Sequence, residues 1–341
     1  MKKNILLVFI SLVAVTGFIA YRYYNFIFSD NVWVTSAIST IDIPEEMSLE
    51  VLADSLVEKN FIKDRLSFIW VSEKMSYTKP RPGRYKLQDG MNNRALVSLL
   101  RSGVQEPVVL TFNNVRTIEE LCDLFGEKLE YGSESYCSFF TDSLMLSEIG
   151  YTKESILSLF IPNTYELYWN MPPGQLLERM KLEHDRFWNT ERKQKLQNIG
   201  LSQLEAYTLA SIVQKETNLK SEKPIIAGVY LNRLKRGILL QADPTVVYAV
   251  GDFDIRRVLN RHLEVNSPYN TYKYPGLPPG PICMPDISTI DAVISPQEHD
   301  YIYFCVKPGT GFEHAFAKTL REHSRNAQAY REWLNSSRIY N

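Results

Sequence analysis

An uncharged apolar stretch follows directly on the first three residues and limits where the rest of the chain can lie. Residues 4–21 read NILLVFISLVAVTGFIAY, eighteen positions without a charge. At about 1.5 Å per residue, a helix of this length covers roughly 27 Å, nearly the thickness of a hydrocarbon core. The residues that follow are rich in aromatic side chains of the kind found at membrane interfaces, namely Tyr21, Tyr23, Tyr24, Phe26 and Phe28. The sequence therefore predicts a transmembrane anchor over residues 4–28.

The orientation of this anchor rests on a weaker signal. Lys2 and Lys3 favour a cytoplasmic N-terminus, with a tail of residues 1–3. A cleaved signal peptide is the alternative, but no small-x-small cleavage site precedes the aromatic cluster and no Cys follows that could take a lipid. We expect a retained single-pass anchor, with everything after about residue 29 outside the membrane.

The bulk composition is that of a globular protein and argues against nucleic acid as a partner. Of 341 residues, 45% are hydrophobic and 23% are charged, which leaves room for about two or three domains. The net charge is −1 and no sustained basic stripe occurs, so the electrostatic footprint of a nucleic-acid-binding protein is missing. Aromatic residues reach 12%; such surfaces suit neutral ligands such as sugars, although many of these rings must belong to the core.

The four cysteines do not predict a metal site. Cys122, Cys137, Cys283 and Cys305 show no C-x-x-C spacing, so zinc ligation is not indicated. Two disulfides, Cys122–Cys137 and Cys283–Cys305, are compatible with a location outside the cytoplasm, and four buried free thiols are equally compatible. We expect no metal and no cofactor.

A small α+β module is predicted between the anchor and about residue 105. Its elements are a strand at residues 41–44, a helix capped by Ser48, a helix over about residues 64–75, a strand at residues 84–87 and a third helix ending near Gly103. The Ser48-Leu49-Glu50 pattern partly returns at Thr117-Ile118-Glu119, each copy after an alternating strand. Either a strand and capped-helix unit is used twice, or two amphipathic helices resemble each other by chance.

In the second half of the chain, helices and strands are predicted from hydrophobic periodicity and from the Pro and Gly residues that end them. A strand at residues 108–112 and a helical region at 134–160 precede a long charged helix, about residues 175–197. Toward the C-terminus we expect a helix at 287–294, a buried strand at 301–306, a turn at 309–316 and a last helix from residue 324 to about 334. The predicted fold class is therefore α+β.

Residues 209–250 hold the best candidate for chemistry. A helix opened by the capping box Ser202–Glu205 carries an apolar stripe at residues 209, 212 and 213, and Glu216 is the next position on that stripe. A carboxyl against apolar neighbours has its pKa raised, which would make Glu216 a general acid near neutral pH. The alternative is a glutamate that faces solvent or pairs with Arg233.

Asp243 is the nearest second carboxylate, and its local sequence offers two interpretations. Together with Pro244 and Gly251 it matches the usual start and stop signals of a helix: Asp at N-cap, Pro at N1 and Gly after the last turn. It could also act in a site, or do both. The sequence has no G-x-G-x-x-G, Walker A, G-x-S-x-G or H-E-x-x-H motif, so nucleotide, serine-hydrolase and zincin functions have no support.

Other polar residues could bind a sugar or hold loops together. Amide, hydroxyl and imidazole side chains occur in the helix and in the Pro- and Gly-rich loops that follow Glu216. His314 beside Phe316 could line a cleft, although a lone His is more often structural. We assign substrate binding to Asn232, Gln241, Asp243, Thr245, Asn270, Tyr272 and His314.

Several ordered blocks resemble the endolytic murein transglycosylases, also called the MltG or YceG-like family. The matching blocks are ASIVQKET at 210–217, VYLNRL at 229–234, LQADPTV at 240–246, YNTY at 269–272, GLPPGPI at 276–282, and His314-Ala315-Phe316. Four positions depart from the family pattern: Asn163 replaces an Asp, Leu157-Ser158 an E-G pair, and Gln214 a Glu. Glu216 stays in register with the family's catalytic residue.

The resemblance implies a domain order and a location. It implies a LysM-like module over residues 30–105 and a YceG-like catalytic domain over residues 106–341, behind an anchor in the bacterial cytoplasmic (inner) membrane. The catalytic domain would lie on the extracytoplasmic side. The implied partners are peptidoglycan glycan strands and penicillin-binding-protein synthases of the elongation machinery.

The resemblance also implies an activity: cleavage of the MurNAc-β-1,4-GlcNAc bond within nascent strands, leaving a 1,6-anhydroMurNAc end and terminating elongation. Glu216 would protonate the leaving oxygen and then accept the proton of the MurNAc C6 hydroxyl, so no second carboxylate is required. Two alternatives remain, a hydrolytic muramidase with Asp243 as partner and a non-catalytic glycan-binding anchor that recruits synthases.

Overall fold

The computed structural model describes residues 2–34, 39–310 and 312–336. The chain forms two compact units. The first unit comprises Met1–Leu110, Lys128–Tyr131 and Tyr165–Pro172, and the second comprises Thr111–Glu127, Gly132–Thr164 and Pro173–Asn341. The predicted boundary near residue 105 and the likeness of the module to LysM stay predictions.

The first helix, α1 (Lys2–Phe28), is long and apolar enough to cross a membrane, with a mean hydropathy of 2.2 over its most apolar window. Its apolar side chains from Ile5 to Ile19 are exposed. An apolar helix surface that no protein group covers fits a single-pass anchor. Of the predicted tail, Met1 lies outside the described residues.

The first unit confirms the predicted mixture of strands and helices. Strands β1 (Thr40–Ile43) and β2 (Gly83–Lys86) pair antiparallel, with Ile41 opposite Tyr85. Helices α2 (Leu49–Glu58), α3 (Arg65–Lys74) and α4 (Asn93–Ser102) enclose an apolar core with the strands. As predicted for the first helix, the Ser48 hydroxyl accepts a hydrogen bond from the amide of Val51, which satisfies a donor of the first turn.

The second unit consists mainly of helices. After β3 (Val108–Phe112) the helices are α5 (Ile118–Lys128), α6 (Gly132–Phe140) and α7 (Ser143–Glu148), followed by a 3₁₀ turn (Ile156–Leu159) and β4 (Asn163–Leu167), which pairs with β3. Next come α8 (Pro173–Phe187), α9 (Thr190–Ile199), α10 (Gln203–Glu216), α11 (Lys223–Lys235), α12 (Asp243–Val250) and α13 (Asn260–Leu263). The chain closes with α14 (Ile287–Ile294), the antiparallel pair β5 (Tyr303–Val306) and β6 (His314–Ala317), and α15 (Leu320–Ser336).

Two predictions about these elements are wrong. The long charged helix is two helices, because Trp188 is buried and the side chain of Asn189 caps α9 by accepting from the amide of Arg192. The strand predicted as buried at residues 301–306 is shorter and only partly buried, because β5 pairs with β6 alone. Of the predicted turn at 309–316, Gly311 lies outside the described residues.

The helix that ends in Glu216 lies at the centre of the second unit. In α10 every residue from Ala206 to Val213 is buried, so its neighbours cover more than the stripe expected from periodicity. The predicted capping box is present, with Ser202 and Glu205 each accepting from the other's backbone amide. A helix held on all sides gives its last residue a fixed position.

The possible disulfides are not formed. All four cysteines are free thiols, with Cys122 and Cys283 buried and Cys137 and Cys305 partly buried. Burial raises the pKa of the Cys283 thiol to about 12, which makes it unreactive near neutral pH.

Candidate active site

Glu216 is the last residue of α10 and its carboxyl group lies at a cavity. The helix ends there because Thr217 takes an extended conformation, with φ −147° and ψ 143°. Tyr230, on α11, donates its hydroxyl to Oε1 of Glu216 at 2.6 Å. The alternative pairing with Arg233 is not formed, since that guanidinium donates to the carbonyl oxygens of Ile302 and Leu240.

The surroundings of Glu216 favour its protonated form. Burial raises the pKa of Glu216 to about 7, the Tyr230 hydroxyl and the charge of Arg233 act to lower it, and the charge of Asp243 raises it further. A carboxyl with such a pKa holds a proton in an appreciable fraction of molecules at neutral pH. The group can therefore donate a proton and afterwards accept one.

Asp243 is not the helix cap that its sequence indicated. The N-cap of α12 is Ala242, and Asp243 is already the first helical residue, without a capping hydrogen bond. Tertiary contacts decide this start: Gln241 takes a left-handed conformation (φ 47°), and the amide of Ala242 donates to the Thr271 hydroxyl. The exposed carboxylate of Asp243 instead accepts from the Tyr272 hydroxyl at 2.5 Å. Gly251 ends the helix as predicted, with φ 77°.

The predicted substrate-binding residues fall into two groups. Gln241, Asp243, Tyr272 and His314 line cavities that Glu216 also lines. The remaining three direct their polar atoms to other parts of the protein. Asn232 donates to the carbonyl oxygens of His299 and Tyr301, Thr245 is buried against Thr271, and the buried Asn270 donates to Leu263 and Val265.

Two cavities meet at Glu216 and Asp243. The first has a volume of about 370 Å³ and the second about 550 Å³, and both residues line both cavities. The first is lined mainly by aromatic and aliphatic side chains together with Arg233, its other members being Tyr230, Leu240, Gln241, Tyr272, Tyr303, Phe304, Leu320 and His323. An extended ligand could therefore occupy space on either side of the carboxyl group.

Sequence reasoning missed two residues that hold this site together. Tyr230 was part of a matching block, but nothing in its local pattern indicated a bond to a carboxyl fourteen positions earlier. Glu222, before the first turn of α11, accepts from the backbone amide of His314 and lies 2.7 Å from its Nδ1. Because an ionised carboxylate only accepts, Nδ1 is the donor in this contact.

The described residues offer no metal site. Across residues 2–34, 39–310 and 312–336, no three His, Cys, Asp or Glu side chains lie close enough together to hold a metal ion. The chemistry available at Glu216 is proton transfer.

Glu216, with a pKa raised to about 7 at the junction of two cavities, is a candidate acid–base group with space for an extended ligand beside it. Comparison with known proteins then places the chain: a model of the YceG-like family matches residues 41–329. The chain belongs to the YceG-like family.

Named relatives and a solved structure agree with this placement. A Bacillus subtilis protein named endolytic murein transglycosylase is 28% identical over 307 residues, covering 85% of this chain and 84% of that protein. A Streptococcus pneumoniae protein of the same name is 25% identical, covering 94% of this chain but 63% of that longer protein. The crystal structure of a YceG-like protein from Listeria monocytogenes superposes with a TM-score of 0.56 at 28% identity, covering 84% of this chain and 97% of that one.

Proposed function

We propose that this protein is a membrane-anchored lytic transglycosylase that cleaves MurNAc-β-1,4-GlcNAc bonds inside peptidoglycan strands and leaves 1,6-anhydroMurNAc ends. The observation that carries the proposal is the Glu216 carboxyl, whose pKa is raised to about 7 where two cavities meet. The names of the relatives supply the substrate class.

The proposed reaction needs one group that first gives and then takes a proton. Protonated Glu216 donates to the glycosidic oxygen as the C1–O bond breaks, and GlcNAc leaves as an alcohol. The resulting carboxylate accepts the proton of the MurNAc C6 hydroxyl as that oxygen bonds to C1. The substrate supplies its own nucleophile, and Glu216 ends the cycle protonated.

Asp243 has a different place in this mechanism from the one its sequence indicated. Its carboxylate is exposed at the junction of both cavities and is oriented by Tyr272. A fixed negative charge there stabilises the positive charge that develops at C1 as the bond breaks. Burial is the main cause of the raised pKa of Glu216, and the charge of Asp243 adds to it, which favours the protonated form.

The two cavities support cleavage within a strand. An enzyme that removes only terminal units needs space on one side of the scissile bond, whereas an endolytic enzyme must hold sugars on both sides. Glu216 and Asp243 line both cavities, which fits the second arrangement. Anchoring by α1 would place this activity beside the inner membrane, where nascent strands and penicillin-binding-protein synthases are found, and cleavage there would terminate elongation.

A hydrolytic muramidase is the second candidate, because the exposed Asp243 could activate a water. The two reactions differ by one water in the mass of the product. A non-catalytic glycan-binding anchor has less support, because a mere binding surface has no need of a carboxyl with so high a pKa.

The test is incubation of polymerised glycan with the protein, followed by product mass spectrometry. We expect anhydro-ended fragments from the wild type and none from Glu216→Gln, with thermal unfolding as the check that the variant remains folded. Glu298→Gln, at an exposed glutamate that lines neither cavity, is the matched control and should cleave normally. Fragments from Glu216→Gln, or wild-type products one water heavier, would contradict the proposal.

A further inference from the structure

The second cavity carries a concentration of positive charge. Four basic side chains line it, from three segments that are far apart in the sequence: Arg116, Lys215, Arg256 and Arg257. We call these four residues the cationic arm. Among the described residues, the carboxyl groups that line the same cavity are those of Glu216 and Asp243.

The cations of this arm are not neutralised by the protein. In the described part of the chain, none of the four side-chain cations lies within 4 Å of a carboxylate oxygen. Arg116 lies over the Phe253 ring at 4.5 Å, and Lys215 donates to the amide oxygen of Asn114 at 2.8 Å. These contacts orient the side chains and leave their charges available.

The local charge contrasts with that of the whole molecule. The chain has a net charge of −1. In the cavity, Glu216 is protonated in an appreciable fraction of molecules at neutral pH, because burial raises its pKa to about 7. The four basic side chains of the cavity therefore outnumber its two carboxyl groups. A cavity wall of low dielectric focuses such a field and attracts anions.

We propose that the cationic arm binds the carboxylates of the peptide stem on a MurNAc residue next to the scissile bond. This inference rests on the proposed function and adds a specificity to it: the sugar hydroxyls of a glycan are neutral and require no group of four cations. Guanidinium groups pair with carboxylates through two parallel hydrogen bonds, which makes arginine suited to this role. A pyrophosphate at a lipid-linked strand end is an anion that could compete for the same residues.

Binding is tested in the full chain carrying Glu216→Gln, so that the readout does not depend on cleavage. The ligands are uncrosslinked strands with free stem carboxylates, the same strands with those carboxylates amidated, and lipid-linked strands with amidated stems. We expect about tenfold weaker binding after amidation, the size of one charge-assisted contact. Adding Arg256→Gln and Arg257→Gln should weaken binding of the free-carboxylate strand to a similar degree and leave the amidated strand unaffected.

A matched pair separates this effect from a general loss of positive charge. Lys235 and Arg236 are adjacent, exposed and line neither cavity. Lys235→Gln with Arg236→Gln should leave the preference for free carboxylates intact. The proposal is overturned if the Arg256 and Arg257 variant binds the free-carboxylate and the amidated strands with equally reduced affinity, or with no reduction at all. It is also overturned if the lipid-linked strand with amidated stems binds as tightly as the strand with free stem carboxylates. If the discrimination is present but the wild type releases no anhydro ends, the proposed function fails while the anion site stands.

Discussion

At the scale of single residues, the state of Glu216 depends on groups that its local sequence does not contain. The apolar neighbours in α10 account for its desolvation, but the Tyr230 hydroxyl and the Asp243 charge come from α11 and α12. These two act on the pKa in opposite directions, and burial outweighs both. The result is an acid that can change its protonation state within one catalytic cycle.

This raised pKa makes the stability of the protein depend on pH. A carboxyl with a pKa near 7 when folded and about 4.5 when unfolded binds more protons in the native state between those values, so the free energy of unfolding falls as pH rises from 4.5 to 7. We expect Glu216→Gln to match the wild type near pH 4 and to be more stable above pH 7, by at most about 3 kcal/mol.

Urea unfolding at a series of pH values measures this difference. The same series on Glu298→Gln separates the effect from the pH dependence of the rest of the protein. A constant offset between Glu216→Gln and the wild type at every pH would show that the raised pKa is absent.

The Tyr230 hydroxyl should set the alkaline limit of activity. Its hydrogen bond lowers the pKa of Glu216, so Tyr230→Phe should raise that pKa and shift the alkaline limb of kcat/KM to higher pH, since the acid must be protonated to act. Without the Tyr230 hydrogen bond the Glu216 carboxyl is oriented less well, which should also reduce kcat by about tenfold. The measurement is a pH profile of the release of anhydro ends.

Tyr207→Phe is the control for this profile. It removes another buried hydroxyl, which donates to the carbonyl oxygen of Phe160 and lines neither cavity. We expect a loss of stability with no shift of the limb. If the alkaline limb of the kcat/KM profile shifts to the same extent in both variants, Tyr230 acts through packing rather than through the pKa of Glu216.

At the scale of elements, close backbone approaches hold the loops that shape the site. Gly280, in the loop before α14, passes against the chain at Glu154, where an added Cβ would meet the carbonyl oxygen at 1.8 Å. In α11, an added Cβ at Gly228 would lie 2.8 Å from the Gln297 carbonyl oxygen. These contacts explain why glycine stands at both positions, neither of which needs a left-handed conformation.

Gly280→Ala should therefore destabilise the second unit. Backbone atoms cannot move aside as the end of a flexible side chain can, so we expect a loss of about 1–3 kcal/mol or more. Gly174→Ala in α8 is the matched control, since the nearest atom there is the Phe139 Cζ at 3.9 Å. Thermal unfolding of both variants provides the measurement. Equal melting temperatures would show that the loop accepts a side chain.

At the scale of the whole molecule, the chain combines an apolar N-terminal helix with a polar remainder. Lys2 and Lys3 lie at the N-terminal end of α1, before its uncharged stretch, which favours a cytoplasmic N-terminus. We expect protease added to spheroplasts to digest the chain beyond residue 29 and to spare an N-terminal tag. The tag should become accessible only after the membrane is permeabilised. Release of the protein without detergent would contradict anchoring.

Local signals in the sequence determined several elements to within a residue or two. The capping box at Ser202 begins α10, Ile287–Ile294 and Val108–Phe112 form the predicted helix and strand, and Gly103 and Gly251 end their helices. These signals succeed because caps, periodicity and left-handed glycines act within one or two turns of the chain.

The tertiary structure alone decided the chemistry around Glu216. A local pattern placed Asp243 at a helix cap, but the contact between Ala242 and Thr271 moved the start of the helix and left the carboxylate free for Tyr272. In the same way, the cationic arm gathers side chains from residues 116, 215 and 256–257. Hydrogen bonds, desolvation and charge act through space over a few ångströms. Groups that are distant in the sequence therefore set the pKa of Glu216 and the charge of its cavity, while the apolar N-terminal helix follows from its own composition.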